Sequence, residues 1–293
     1  MIPVKMTTRF KELLLAEEIL MFPVSHDPLC ARIAELSGFE AVSVGGYASS
    51  ASLLAKPDIN LLTLTEMADV VRRTVNAVNI PVFADGDTGH GNVNNVKRTV
   101  ELFEQAGAAS LFIEDQISPK RCGHMTGKEV ISPDEMRAKI EAAIDARKDP
   151  DLLIMARTDA IAVNGIDDAI SRAGSYLDAG ADFIFVEAPE NVDQMHRITR
   201  EIDAPNLANM LPGGKTPLLT AKELQDIGYA AVAFPTVCTH TLARAVMDVL
   251  KDLRSGGTLA GMEERMLSFE EFGRLVGLDR IREEELGYYR TCR

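Results

Sequence analysis

No hydrophobic run in this 293-residue chain approaches the roughly 20 residues that a helix needs to cross a bilayer. Met1 to Phe10 also lack the apolar core and small-residue cleavage site of a secretory leader, and Lys11, Glu17 and Glu18 interrupt the apolar stretch that follows. Both absences predict a cytoplasmic protein with no membrane partner. Positive charge is in deficit: 31 Lys and Arg face 44 Asp and Glu, a net charge of −13, which argues against nucleic acid as a partner. Cysteine is scarce, and Cys30, Cys122, Cys238 and Cys292 form no CxxC pair and no zinc-finger spacing, so reduced thiols are expected. No Ser/Pro/Gly linker tract occurs before Leu253, and no Gly-rich phosphate fingerprint follows the first apolar run.

What is present is a repeated alternation. Short apolar runs occur at residues 19–24, 41–44, 81–84, 110–113, 152–156, 183–186, 206–208 and 230–234. Runs of about 4–6 residues are the length of parallel strands buried on both faces. Between them, apolar residues recur at three- and four-residue spacing, predicting helices over 65–78, 94–106, 167–179, 192–202 and 220–227. Asp27-Pro28 and Ser132-Pro133 start two more with a capping side chain and a first-turn proline. Gly107 and Gly180 end theirs with the left-handed residue that turns the chain into the next strand. Eight strand–helix units in one continuous chain predict a (β/α)8 TIM barrel over 1–255; an open doubly wound sheet is the alternative, weakened by the missing fingerprint. Residues 256–293 fall outside the repeat, and helices over 262–275 and 281–289 predict a helical extension packed on its own barrel or on a neighbour.

In a barrel, functional groups gather at the C-terminal strand ends. Those positions hold Gly45-Gly46, Asp85 and Asp87, Glu114-Asp115, Arg157 and Asp159, Glu187, Asn209, and Pro235-Thr236. Carboxylates converging on one mouth repel unless a cation neutralises them. Hard oxygen donors with few histidines point to Mg²⁺ or Mn²⁺ rather than a softer metal. Asp58, after a long irregular segment, is a further outer ligand or a turn former. Arg157 suits a substrate carboxylate, or an internal ion pair with Glu114 or Glu187, and the two roles are compatible.

Residues 119–124 read Pro-Lys-Arg-Cys-Gly-His. Lys120, Arg121 and His124 around Cys122 make a field that lowers a thiol pKa, and Gly123 and Gly127 suit a loop. This segment is a candidate lid carrying an acid or a nucleophile; the plainer alternative is a basic surface loop with an incidental cysteine.

Together, Asp85-Gly-Asp-Thr-Gly-His-Gly-Asn92, Ile113-Glu-Asp-Gln116, Pro119-Lys-Arg-Cys-Gly-His124 and Met155-Ala-Arg-Thr-Asp-Ala160 resemble the isocitrate lyase/phosphoenolpyruvate mutase superfamily, over about residues 6–253. The resemblance implies a barrel whose terminal helix is swapped between subunits, a homotetramer built as a dimer of dimers, and a Mg²⁺-bound 2-oxo acid or its enolate. It implies that Asp85, Asp87 and Glu114 hold the metal partly through water, and that Gly45 and Gly46 offer backbone donors to a carboxylate. Its Lys-Arg-Cys-Gly-His loop marks the carbon–carbon lyases, with Cys122 as the acid that protonates an enolate and Arg121, His124 and Arg157 stabilising developing charge, beside Lys120. Gly45, Gly46, Tyr47, Gly123, Arg157, Glu187 and Asn209 are then the candidate substrate-contacting positions. The hydroxyl-deprotonating base is left open among Tyr47, Asp58 and His90.

Within that superfamily the 2-methylisocitrate lyases continue the lid as Arg-Pro-Asn-Lys, where this chain has Met125-Thr-Gly-Lys128, and they carry a C-terminal Arg where Phe269 stands here. The Gly127-Lys128 phrase and the Ser268-Phe-Glu-Glu-Phe272 tail resemble the 2,3-dimethylmalate lyase and oxaloacetate hydrolase branch. The expected function is an oxo-acid lyase that cleaves a 2-hydroxydicarboxylate to pyruvate and a short carboxylate. Oxaloacetate hydrolase, 2-methylisocitrate lyase, carboxyphosphonoenolpyruvate mutase and a non-catalytic assembly barrel are the alternatives.

Overall fold

The computed structural model describes residues 4–121 and 127–290. Eight strands form the frame: β1 Leu20–Ser25, β2 Val42–Val44, β3 Val82–Asp85, β4 Ser110–Glu114, β5 Leu153–Thr158, β6 Phe183–Val186, β7 Leu207–Asn209 and β8 Ala231–Phe234. They pair in parallel in the order β6-β5-β4-β3-β2-β1-β8-β7. A parallel bridge between Ile184 and Asn206 closes the ring. The predicted barrel is therefore the fold, and the open sheet is excluded.

Side-chain alternation divides the apolar residues into two layers. Phe22, Phe83, Phe112, Met155, Phe183 and Phe185 belong to a core inside the barrel. Their neighbours Val82, Ala84, Leu111, Ile113, Ile154 and Ile184 belong to the core between strands and helices. A helix not expected from the sequence, Met6–Leu14, adds Phe10 and Leu14 to the inner core, with the Phe10 ring stacked on Phe83 at 5.8 Å between centroids.

The remaining elements largely follow their local chemistry. Ser132 caps Pro133–Ala146 by accepting from the Glu135 N–H, and Gly107 takes φ +91° where Val93–Ala106 stops. The segment expected to be irregular before Asp58 contains a helix, Gly46–Leu54. Its Gly, Ala and Ser residues are mostly buried, so no polar and apolar stripes alternate to reveal it. The expected helix over 262–275 is a single 3₁₀ turn, Glu263–Arg265, and a separate helix, Phe269–Leu275, which Ser268 starts through a capping box with Glu271.

The chain forms two compact units, Met1–Thr239 and His240–Arg293. Within the second, the helix that begins at Val237 runs to Gly256, and Leu278–Arg290 is the last helix. Among the described residues no helix is long and apolar enough to cross a membrane.

Candidate active site

Strand ends deliver the acidic residues. Asp85 closes β3, and its carboxylate accepts from two backbone donors, Gly46 N at 2.7 Å and Asp87 N at 2.9 Å. Gly46 opens the helix Gly46–Leu54, so Asp85 sits against a helix N-terminus, where free N–H groups and the dipole favour an anion. The Gly46 donor expected for a substrate carboxylate is thus engaged by Asp85. A Cβ at Gly46 would lie 3.2 Å from Asp85 Oδ2, Asp87 Oδ1 and Lys120 Nζ, a tight approach that favours glycine. Gly86 is still more constrained, since a Cβ there would meet the Phe112 carbonyl oxygen at 2.4 Å.

Asp87 has φ +48°, a left-handed conformation uncommon outside glycine and tolerated by Asp. The Glu114 N–H bonds its carbonyl at 2.8 Å, and Lys139 reaches in from the helix Pro133–Ala146 to donate to the Thr88 carbonyl at 3.2 Å. This residue is held in strain by its surroundings, as side chains at functional sites often are.

Lys120 Nζ lies 2.7 Å from both Asp58 Oδ2 and Asp87 Oδ1, and all three side chains are buried. Burial alone would lower the Lys120 pKa, but Asp87, Asp85, Glu114 and Asp58 more than reverse it and hold the amine well above the ordinary lysine range. Burial, with Asp85 and Asp58 nearby, pushes Asp87 up to about 6 despite Lys120. Burial likewise raises Glu114, against the pull of Arg157 and Lys120. His90 is largely buried, with Nε2 3.9 Å from Asp87 Oδ2; burial lowers its pKa, against the pull of Asp85, so that the neutral imidazole is favoured.

Strand register sets Glu114 beside Arg157, and the two side chains pair at 3.3 Å. Arg157 also donates from Nε and Nη2 to Asp159 at 2.9 and 3.1 Å, and its guanidinium lies over the Phe185 ring at 5.0 Å. Burial opposes its charge, while Asp159, Glu114 and Glu187 hold its pKa far up. Glu187 follows β6, buried, and donates its N–H to the Thr158 carbonyl; Asn209 ends β7 half-buried. Tyr47 sits in the first turn of Gly46–Leu54, partly buried.

The segment expected to be a lid is described only at its two stems. Residues 122–126, with Cys122, Gly123 and His124, lie outside the described residues. Gln116 grips the first stem by donating to the Arg121 carbonyl at 2.9 Å and accepting from the Arg121 N–H at 3.0 Å. The return stem pairs with it through Gln116–Val130 and an Ile117 N–H to Glu129 carbonyl bond at 2.9 Å. A Cβ at Gly127 would come within 2.6 Å of Arg121 Nη1, so the two stems meet side by side.

Sequence reasoning placed Asp115 and Asp159 at strand ends without giving them partners, and it gave no site role to Lys128, Lys139, Arg172 or Tyr176. Asp115 accepts from Thr158 Oγ1 and Tyr176 OH, each at 2.7 Å, from the Asp159 N–H at 2.9 Å and from Arg172 at 3.3 Å. Lys128 pairs with Asp159 at 2.7 Å. Tyr176, Arg172 and Lys139 lie on helices where, without the fold, their polarity reads as a solvated face. The cysteines scattered along the sequence also meet in part, since the Cys30 thiol is hydrogen-bonded to Cys238; that bond, with burial, pushes the Cys30 pKa up.

The residues can be tested against a divalent cation. Glu114 Oε1 is buried with no hydrogen-bond partner, and the raised carboxyls of Glu114 and Asp87 signal negative charge in need of neutralisation. The donors are all hard oxygens. Among the described residues no three His, Cys, Asp or Glu side chains are grouped so as to hold an ion directly. Mg²⁺ commonly keeps several waters and takes only one or two carboxylates, so the set fits that ion through water.

Comparison with known proteins shows what the chain is similar to. A family model described as phosphoenolpyruvate phosphomutase matches residues 10–254. The chain is 45% identical over 280 residues to 2,3-dimethylmalate lyase from Eubacterium barkeri, covering 96% of this chain and 97% of that one. Among solved structures, oxaloacetate acetylhydrolase in complex with 3,3-difluorooxalacetate is similar with a TM-score of 0.92 and 31% identity, covering 97% of each chain. Phosphonopyruvate hydrolase in complex with oxalate and Mg²⁺ is similar with a TM-score of 0.88 and 29% identity, covering 98% of this chain and all of that one.

Proposed function

The chain belongs to the phosphoenolpyruvate mutase/isocitrate lyase superfamily, and from that premise we propose that it cleaves the C2–C3 bond of a 2-hydroxydicarboxylate resembling 2,3-dimethylmalate, releasing pyruvate and a short carboxylate. It is a carbon–carbon lyase of a superfamily whose members act on oxo-acids. The observation that carries the reading is the pairing of Glu114 with Arg157, which sets a nest of hard oxygens beside a buried guanidinium. One end suits a metal-bound 2-hydroxy acid and the other a second carboxylate.

Asp58, Asp85, Asp87 and Glu114 would hold Mg²⁺, or Mn²⁺, in part through water. When bound, such an ion would supply Lewis acidity for the conversion of the substrate's 2-hydroxy group to a carbonyl. Lys120 keeps Asp58 and Asp87 oriented and adds fixed positive charge to the same nest. Arg157 binds the second carboxylate and stabilises the charge that develops on it, assisted by Arg121 and His124. Cys122 delivers the proton to the carbon released by bond cleavage. Gly45, Tyr47, Gly123, Glu187 and Asn209 complete the substrate's surroundings. The neutral state favoured for His90 suits a base, and Tyr47 and Asp58 are the other groups able to take the C2 hydroxyl proton.

A panel of 2,3-dimethylmalate, citramalate, 2-methylisocitrate, isocitrate and oxaloacetate with Mg²⁺ tests this directly. We expect kcat/KM for the dimethylmalate-like dicarboxylate to exceed that for either tricarboxylate, because Phe269 supplies no cation for a third carboxylate. A tricarboxylate turned over as well or better would overturn the branch assignment. Oxaloacetate is the second reading, supported by the likeness to oxaloacetate acetylhydrolase, and oxalate and acetate as products would favour it.

Residues 1–255 are read as the catalytic barrel and 256–293 as a helical extension that assembles a homotetramer, with the terminal helix exchanged between subunits. Leu242, Met247, Leu250, Phe269 and Ile281 are exposed apolar side chains that such an assembly would cover. Truncation after Ser255 is expected to lower the mass seen in sedimentation; an unchanged profile counts against this role.

A further inference from the structure

Lys128 stands six residues after Cys122 in the sequence, yet its side chain is only 2% exposed. Its ammonium lies 2.7 Å from Asp159 Oδ1, and Asp159 is wholly buried. A lysine is rarely buried to this degree without a partner, and a buried ion pair adds little stability once desolvation is counted. Its purpose is better sought in the charge balance around Arg157.

Three carboxylates act on that guanidinium: Asp159, Glu114 and Glu187. Asp159 takes the edge formed by Nε and Nη2, and Glu114 shares Nε. Were Arg157 the only cation on Asp159, much of its charge would be neutralised internally, and an incoming anion would meet net negative potential. Lys128 changes that balance. Burial would push the Asp159 carboxyl up, but Arg157 and Lys128 together hold it down to about 2. Asp159 is thus shared between two cations, of which Arg157 is the more accessible at 11% against 2%.

We propose that Lys128 is a positioning residue that offsets Asp159 and so leaves Arg157 available to a substrate carboxylate. This rests on the reading that Arg157 binds the second carboxylate. The return stem fixes where the ammonium sits, through the Glu129 and Val130 backbone pairing and the Ile131 N–H bonded to the Asp115 carbonyl at 2.8 Å.

The test uses full-length enzyme with Mg²⁺ and four proteins: wild type, Lys128→Met, Asp159→Asn and the double variant. Lys128→Met should raise KM for 2,3-dimethylmalate by about tenfold or more with a smaller change in kcat, because the lost term is mainly binding. Inhibition by pyruvate, which has no second carboxylate, should change by no more than about twofold. In the double variant KM should return most of the way to wild type, since the charge that Lys128 offset is gone. A merely structural role predicts the opposite, with losses that accumulate and fall equally on pyruvate, and either result overturns the proposal. So does an unchanged KM in Lys128→Met. If wild type turns over no dicarboxylate, the lyase reading fails by itself. Calorimetric titration of the four proteins with malate then decides the role of Lys128: weaker binding in Lys128→Met, restored in the double variant, supports it, and equal binding refutes it.

Discussion

Asp87→Ala is expected to lower turnover by about a thousandfold or more, the cost of losing a preorganised electrostatic group at a reacting centre. Its carboxylate is the one whose place is most tightly determined: left-handed backbone at φ +48°, a carbonyl fixed by the Glu114 N–H, and a side chain against Lys120. The fold should survive, because Lys120 keeps Asp58 and the substitution removes a buried charge that the folded chain holds at a cost. The pH dependence has a definite sign. The carboxyl rises from an ordinary 3.8 to about 6 on folding, so it binds its proton more tightly in the folded chain. That contribution to stability is fully present below about pH 3.8 and is lost as pH rises through 6. Mg²⁺ should therefore raise Tm more at pH 7 than at pH 5 in wild type, where it meets an ionised Asp87 without displacing a proton. Asp87→Ala should show little Mg²⁺-dependent shift at either pH. Wild-type activity in the variant under strict chelation would remove the metal from the site.

The barrel was legible because its signals are local and repeated. Each strand is a short run of apolar residues, and each helix end carries a recognisable cap such as Ser132 or Gly107. The helix Gly46–Leu54 was not legible, since small buried residues give no periodic contrast, and Met6–Leu14 has its burial determined by a barrel floor that only the closed fold creates. The charged strand ends could be read in the same way, because Asp85, Glu114 and Arg157 follow apolar runs directly. Their partners could not. Lys120 reads in sequence as part of a basic field around Cys122, yet its ammonium lies between Asp58 and Asp87, residues brought to it from two other segments. Lys128 and Asp159, and Asp115 with Tyr176 and Arg172, are likewise joined by register and long-range packing that no spacing along the chain encodes.

Cys122→Ser is expected to lower kcat by about 10²–10⁴-fold, the range that a positioned acid contributes. The thiol's role follows from the chemistry of the proposed cleavage, in which the carbon that departs from C2 carries an electron pair and must gain a proton. A thiol of unperturbed pKa about 8.5 can supply it, and a serine hydroxyl is a far weaker acid. The described stems bear on where such a group could be delivered. Arg121, clamped by Gln116, precedes the cysteine by one residue, and Lys128, held by Asp159, follows it by six in the sequence. Mg²⁺ and pyruvate binding should persist in the variant, because the carboxylates proposed to hold the metal come from strand ends and their adjoining segments. Alkylation should inactivate wild type, and bound substrate should slow it; the serine variant should be indifferent to the reagent. Near-normal kcat in Cys122→Ser would sink the assignment and require another acid, with His124 the first to be replaced. Loss of kcat together with loss of pyruvate binding would instead mean that the substitution had disturbed the nest itself, and the two outcomes separate on a single inhibition measurement.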